Sequence, residues 1–260
     1  MISFILCVRD REEQTAHSLP AIFKQAAACG GEAIVVDQDS RPPAAARLRA
    51  ACKSSGAAYI RLDRGGPFNR SWALNVGARA ASMPLLSFCD ADVVVDDGYA
   101  AAVARKHRDI FRSGPCIINC MPFLVSERLS AIFRESGDVG LLRGREHEWW
   151  WTLGVGCHVD AGSFRAVGGF DEGYDGWGCE DDDLFRRLRA RGCGWAIATP
   201  VARGWHLWHP PTPGRGDHEP PNRRRLARSV ERVAKGDIVR NARRDWGSRA
   251  WVPLDGDDGN

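Results

Sequence analysis

Several common classes are excluded by what the chain lacks. No run approaches the ~20 apolar residues that a membrane-spanning helix needs. There is no GxxxxGK[ST] phosphate loop and no GxGxxG turn. The nine cysteines are odd in number and scattered, with no CxxC pair. Cys116 and Cys120 make a poor zinc signal, and reduced thiols fit better than a disulfide framework. No internal repeat is found. The net charge of +3 is too small to imply a polyanion, so no nucleic-acid partner is expected. The apolar opening is short, lacks a basic lead, and runs into Arg9-Asp10-Arg11-Glu12-Glu13 where a cleavage site would stand. A cytoplasmic protein is the expectation.

What is present suits a globular α/β protein: 260 residues, 44% hydrophobic and 27% charged, enough for one large domain or two small ones. Ser3–Val8 reads as a buried strand, Glu12–Cys29 as helix, Ala33–Val36 as strand, Ala44–Lys53 as helix and Ala57–Leu62 as strand. A helix over Ser71–Ser82 and a strand over Leu85–Cys89 follow. This alternation argues for βαβ units and a parallel sheet covered on both faces. Ligands of such sheets sit beyond the carboxyl ends of the strands, where Asp37, Asp39, Asp90 and Asp92 fall. The second half is less regular. It holds a helix over Asp97–Arg112, a strand over Cys116–Phe123, a helix over Asp181–Arg191 and an aperiodic segment over Arg203–Pro221. A basic helix over Asn222–Asp245 and a frayed Asp255–Asn260 tail close the chain.

Four clusters carry chemistry. Asp90-Ala91-Asp92 ends an apolar strand, and two carboxylates one residue apart suit a hard cation that neutralises a diphosphate. Glu180-Asp181-Asp182-Asp183 opens a helix, where the dipole and free N–H groups favour acids. Capping accounts for Asp182 or Asp183, but four acids exceed what a cap needs, and one can serve as a general base. His206 and His209 stand three residues apart, and imidazole suits a borderline cation such as manganese. Of the consecutive Trp149, Trp150 and Trp151, at least one should be exposed or line a cleft, and Trp177 between two glycines offers a mobile aromatic for a sugar face.

In order along the chain, Arg9–Glu13, Phe68-Asn69-Arg70 with Leu74-Asn75-Val76-Gly77, Asp90-Ala91-Asp92 and Gly176–Asp183 resemble segments of the β-1,4-galactosyltransferase family. Its GT-A-fold relatives include the polypeptide N-acetylgalactosaminyltransferases and bacterial inverting transferases. The resemblance implies that Arg9 and Arg11, with Phe68 and Arg70, flank a nucleotide diphosphate, and that Asp37 contacts uracil. Asp90 would meet the ribose or donor sugar. Asp92, His209 and His206 would hold Mn2+ or another divalent cation such as Mg2+. Asp181 becomes the catalytic base, Glu180 an acceptor-hydroxyl ligand, and Trp177 part of a closing loop. Cys179 departs from the family's second glycine, and Thr152 stands near a position where a bulky residue restricts the donor pocket.

The expectation is therefore a GT-A catalytic domain over 1–221, with a nucleotide-binding half (1–95) and an acceptor half (96–221), followed by a basic helix and tail over 222–260. It would transfer a hexose or N-acetylhexosamine, of UDP-Gal or UDP-GalNAc type, with inversion. The acceptor would be a hydroxyl of a carbohydrate, a lipid-linked glycan or a protein. The basic helix allows peripheral contact with the inner face of a membrane. A nucleotidyltransferase or nucleotide-sugar pyrophosphorylase, and a non-catalytic carbohydrate-binding protein, are the alternatives.

Overall fold

A computed structural model describes residues 1–112, 114–144, 152–154, 156–176, 178–210, 215–242 and 245–250, except for the side chains of 111 and 215–218. Trp149–Trp151 and Trp177, on which two expectations rest, lie outside the described residues.

The apolar runs of the first half become β1 (Ile2–Val8), β2 (Glu32–Gln38), β3 (Ala58–Leu62) and β4 (Leu85–Cys89). They alternate with α1 (Glu12–Ala28), α2 (Pro42–Ser55) and α3 (Arg70–Ala80). β1 pairs in parallel with β2 and β4, and β2 with β3. Side chains of successive strand residues point to opposite faces, so each buried strand feeds two cores. Phe4, Leu6 and Val8 pack with α1 and α2, whereas Ile5 and Cys7 pack with α3. At Gly77 an added Cβ would meet Ile5 Cγ2 at 2.4 Å, so glycine lets α3 approach β1 closely.

After β4 come β5 (Val93–Val95), α4 (Tyr99–Phe111), β6 (Cys116–Asn119), β7 (Phe123–Leu124) and α5 (Glu127–Ser136). The remainder comprises β8 (Cys157–Asp160), α6 (Ala161–Ala166), α7 (Glu180–Ala190), β9 (Gly194–Ile197), β10 (Gly204–His206) and α8 (Arg215–Ala234). The large sheet has the order β3-β2-β1-β4-β8-β6-β9, with β8 antiparallel to both neighbours, and a small sheet has the order β5-β10-β7. Helices cover both faces of a mostly parallel sheet, as expected.

Three expectations are corrected. The Cys116–Phe123 strand is two strands in different sheets. Cys120 N–H bonds Gly156 O at 3.0 Å, and Pro122, having no N–H, cannot continue a ladder. The segment read as aperiodic holds β10. The basic helix starts earlier and ends earlier, at Ala234, where Gly236 (φ 81°) reverses the chain and its N–H bonds Val233 O.

α8 is tied to the domain rather than solvated all round. Arg225 pairs with Asp171 at 2.7 Å, and Asn222 Nδ2 donates to Asp175 O at 2.9 Å. Ser229 bonds Asp183, which also pairs at 2.7 Å with Arg187 in a fully buried ion pair. Arg225 and Arg240 are thereby spent inward, leaving Arg224, Arg228 and Lys235 on the outward side.

His158, in the middle of the sheet, is fully buried; its Nδ1 lies 3.1 Å from Ile118 O and its Nε2 3.4 Å from Tyr99 Oη. Burial lowers its pKa from 6.5 to about 4. The unfolded chain therefore holds an extra proton between those values. Stability is complete above pH 6.5 and falls by about 1.4 kcal/mol per unit as the pH drops toward 4. In His158→Gln, the fall in denaturant midpoint between pH 7 and pH 5 should be shallower than in the wild type. Parallel curves would show that this imidazole does not govern acid lability.

Candidate functional site

The site forms where the carboxyl ends of β1 and β4 meet the amino ends of α3 and α7. Asn69 caps α3, its Oδ1 accepting Trp72 N–H at 2.7 Å, which satisfies one of the open donors of the first turn. Its Nδ2 donates to Glu172 O (2.8 Å) and Asp175 Oδ1 (3.0 Å), and Gly176 N–H bonds Phe68 O at 2.7 Å. Asn75 clamps Phe170 and Glu172 in the same way. The start of α3 is thus stitched to the loop that leads into the acidic helix, a role for Asn69 and Asn75 that sequence reasoning missed. Phe68 packs partly exposed on the α3-side core.

Held at this junction, Arg70 gathers the carboxylates. Its Nη2 donates to Asp90 Oδ1 at 2.9 Å and Gly154 O at 3.1 Å, and its Nη1 to Glu180 Oε1 at 3.4 Å. Burial works against its charge, but the carboxylates of Asp90 and Glu180 prevail and raise its pKa. Glu180 is buried, and desolvation, reinforced by Asp181, lifts it to about 7 against the pull of Arg70. Burial also lifts Asp181 above the ordinary carboxylate range, again opposed by Arg70. Asp181 keeps a partly exposed edge, and its Oδ1 accepts Asp182 N–H at 2.9 Å. Asp183, bound to Arg187 and Ser229, is wholly structural.

The second cluster depends on the small sheet. β10 runs antiparallel to β5 with His206 opposite Val93, and Leu207 N–H bonds Asp92 O at 2.9 Å. Trp205 and Leu207 are buried in a third core, so the alternating His206 is left partly exposed. His209 Nε2 lies 3.1 Å from Asp92 Oδ2, and His206 Nε2 lies 3.6 Å from Asp92 Oδ1. The ligand atoms of all three lie within 4.8 Å of one another, the one such group among the described residues. Asp92 Oδ1 is buried without a hydrogen-bond partner. A buried acceptor left open beside two imidazoles fits a divalent cation, and the mixed O/N donors suit a borderline ion. Burial pushes Asp92 up, but the His209 hydrogen bond and the two imidazoles outweigh it and bring its pKa below the ordinary value.

The arginines of the first loop divide. Arg9 donates to Gly66 O at 2.7 Å and faces Asp39 at 3.6 Å, beyond β2 and β3. Arg11 lies within electrostatic reach of His209 and lowers its pKa against the larger, raising effect of Asp92. Asp37 is fully buried; Tyr59 Oη (2.6 Å), Arg61 Nη1 (2.9 Å) and Ser40 N–H (3.1 Å) all donate to its carboxylate. It braces the β2–α2 turn and offers a base no accessible atom, unlike the uracil contact implied for it.

Comparisons with known proteins find similar sequences and folds. Residues 3–119 match glycosyl transferase family 2, and residues 146–210 match the N-terminal domain of galactosyltransferase. Chondroitin sulfate N-acetylgalactosaminyltransferase 2 of Mus musculus is 34% identical over 161 residues, covering 58% of this chain and 28% of that protein. Validoxylamine A glucosyltransferase of Streptomyces hygroscopicus subsp. jinggangensis is 31% identical over 172 residues, 50% of this chain and 39% of that protein. The chain thus spans well under half the length of these relatives. S. aureus TarS 1–349 in complex with UDP-GlcNAc superposes with a TM-score of 0.64 at 14% identity, covering 90% of this chain and 65% of that one. The mannosyltransferase PcManGT from Pyrobaculum calidifontis, in complex with GDP-Man and Mn2+, gives 0.59 at 16% identity, covering 91% and 70%. At such identities the structures speak for the fold alone. Taken together, the comparisons show a GT-A fold whose sequence is similar to glycosyl transferase family 2 over residues 3–119 and to the N-terminal domain of galactosyltransferase over residues 146–210.

Proposed function

We propose that the chain transfers a hexose or N-acetylhexosamine from a UDP-sugar to an acceptor hydroxyl in one inverting displacement. The observation that carries this reading is Arg70, which ties the donor-side Asp90 to Glu180, next to Asp181, within one buried junction. A donor of UDP-GalNAc type is supported by the kinship to a chondroitin N-acetylgalactosaminyltransferase and by Thr152, small where a bulky residue would narrow the pocket. The acceptor belongs to the carbohydrate, lipid-linked or protein classes.

In the proposed reaction Asp181 accepts the proton of the acceptor hydroxyl as its oxygen bonds to the anomeric carbon. The bond from that carbon to the diphosphate breaks, and its electron pair leaves with UDP. A carboxylate with a raised pKa is the better proton acceptor near neutrality. Glu180 orients the hydroxyl, and Arg70 presents positive charge to the leaving diphosphate. Asp92, His206 and His209 would hold a divalent cation, with manganese preferred, whose charge offsets that of the diphosphate. The absence of a second carboxylate assigned as nucleophile favours inversion.

Asp181→Asn should lose about 10²–10⁴-fold in UDP release with acceptor present, while calorimetric UDP-sugar binding is retained; normal turnover would move the base elsewhere. His209→Ala should bind Mn2+ at least about 10-fold more weakly, since a direct ligand should matter no less than an outer partner. Excess EDTA should stop turnover, and full activity in EDTA would remove the cation from the reaction. Because protonation disables a base, kcat/KM should fall as the pH drops through the raised pKa of the acid pair. Arg70→Gln removes the charge that lowers both acids, so this limb should move to higher pH; an unmoved limb would dissociate Arg70 from the base.

A further inference from the structure

We infer that Gly154 is a positioning residue for the base, holding Asp181 and Arg70 in one frame through a missing side chain and a backbone carbonyl. This rests on the reading of Asp181 as general base.

A Cβ at position 154 would stand 2.7 Å from Asp181 Oδ2, 3.1 Å from its Cβ and 3.2 Å from its Cγ. The Asp181 side chain therefore lies flat against the Gly154 backbone. Gly154 is not among the residues with positive φ, whereas Gly156 is, at 60°. Its backbone conformation does not call for glycine; the space taken up by Asp181 does. On its other side Gly154 O accepts Arg70 Nη2 at 3.1 Å. One peptide thus touches the base and the cation that pulls its pKa down.

The flanking chain is anchored. Asn119 Nδ2 donates to Leu153 O at 2.8 Å, and Asn119 Oδ1 accepts Trp195 Nε1–H at 3.0 Å. Gly156 O accepts Cys120 N–H at 3.0 Å. A methyl group at 154 would therefore displace the carboxylate rather than the backbone. Turning the carboxylate breaks its bond to Asp182 N–H and moves the accepting oxygen, and a misplacement of about 1 Å can cost 10²-fold in rate.

The test is Gly154→Ala in the full chain, with kinetics against donor and acceptor, calorimetric UDP binding and thermal melting. The expected result is a kcat lower by about 10²-fold, with donor KM, UDP affinity and Tm unchanged. In an Asp181→Ala background the same substitution should cost nothing further, because the carboxylate it displaces is gone. Unchanged kcat in the single variant, or a kcat loss of equal size in the Asp181→Ala background, overturns the inference. If Gly154→Ala fails to fold, Asp181→Ala should restore folding and UDP binding by vacating the space; a double variant that stays unfolded also overturns it. Should Asp181→Ala alone retain full transfer, it is the reading of Asp181 as base that falls.

Discussion

One buried cation shapes the centre of this molecule. Arg70 stands at the start of α3 with Asp90, Glu180 and the Gly154 carbonyl around it. Charges taken out of water are costly unless paired. Three carboxylates crowd this junction, Asp90, Glu180 and Asp181, and a single guanidinium cannot compensate all of them. Burial dominates, lifting Glu180 and Asp181 against the pull of Arg70. The same burial suits the junction to the proposed acceptance and release of a proton, so the electrostatic cost and the proposed chemistry have one origin.

The position of Arg70 depends on neutral groups. Asn69 and Asn75 bind backbone and side chains between Phe170 and Asp175, far along the chain, and Arg64 adds an ion pair to Asp175 at 2.7 Å. α8 closes the other side of this segment through Arg225 and Asn222. The acidic helix is thereby registered against α3 with few exposed charges in the connection. This suits a task in which a base and an arginine are to keep a fixed relation.

A separate constraint brings Asp92, His206 and His209 together. β5 is only three residues long and follows directly on Asp92; its pairing with β10 delivers His206 and His209. Trp205 and Leu207 anchor β10 in a small core of their own. Among the contacts that join the two halves of the chain, two lie at the candidate site: Arg70 with Glu180, and Asp92 with the histidines.

Much of this was legible in advance because it is local. Strands β1, β2 and β4 are buried on both faces and carry apolar runs, and the alternation of strands with helices implied the doubly covered sheet. The Asp-x-Asp strand end, the acid-rich helix start and the histidine pair were visible as short patterns. The strand pairs β5–β10 and β7–β10 were not, because two- and three-residue strands have no period to detect and exist only through their partners. Asp37 misled for a related reason: its place at a strand end is a sequence fact, whereas its saturation by Tyr59, Arg61 and Ser40 is a contact fact.

By itself the sequence determined the layered α/β plan and the residue types that gather at the candidate site, since these follow from hydrophobic period, residue type and order. Only the tertiary structure decided which acid is spent on structure and which keeps an exposed edge. Asp181, Asp182 and Asp183 are chemically identical in sequence. Asp183 is consumed by Arg187 and Ser229, while Asp181 lies against a glycine with an arginine on the far side. The difference arises from residues distant in the chain, and a carboxylate's reactivity is set by burial and neighbouring charge rather than by its own identity.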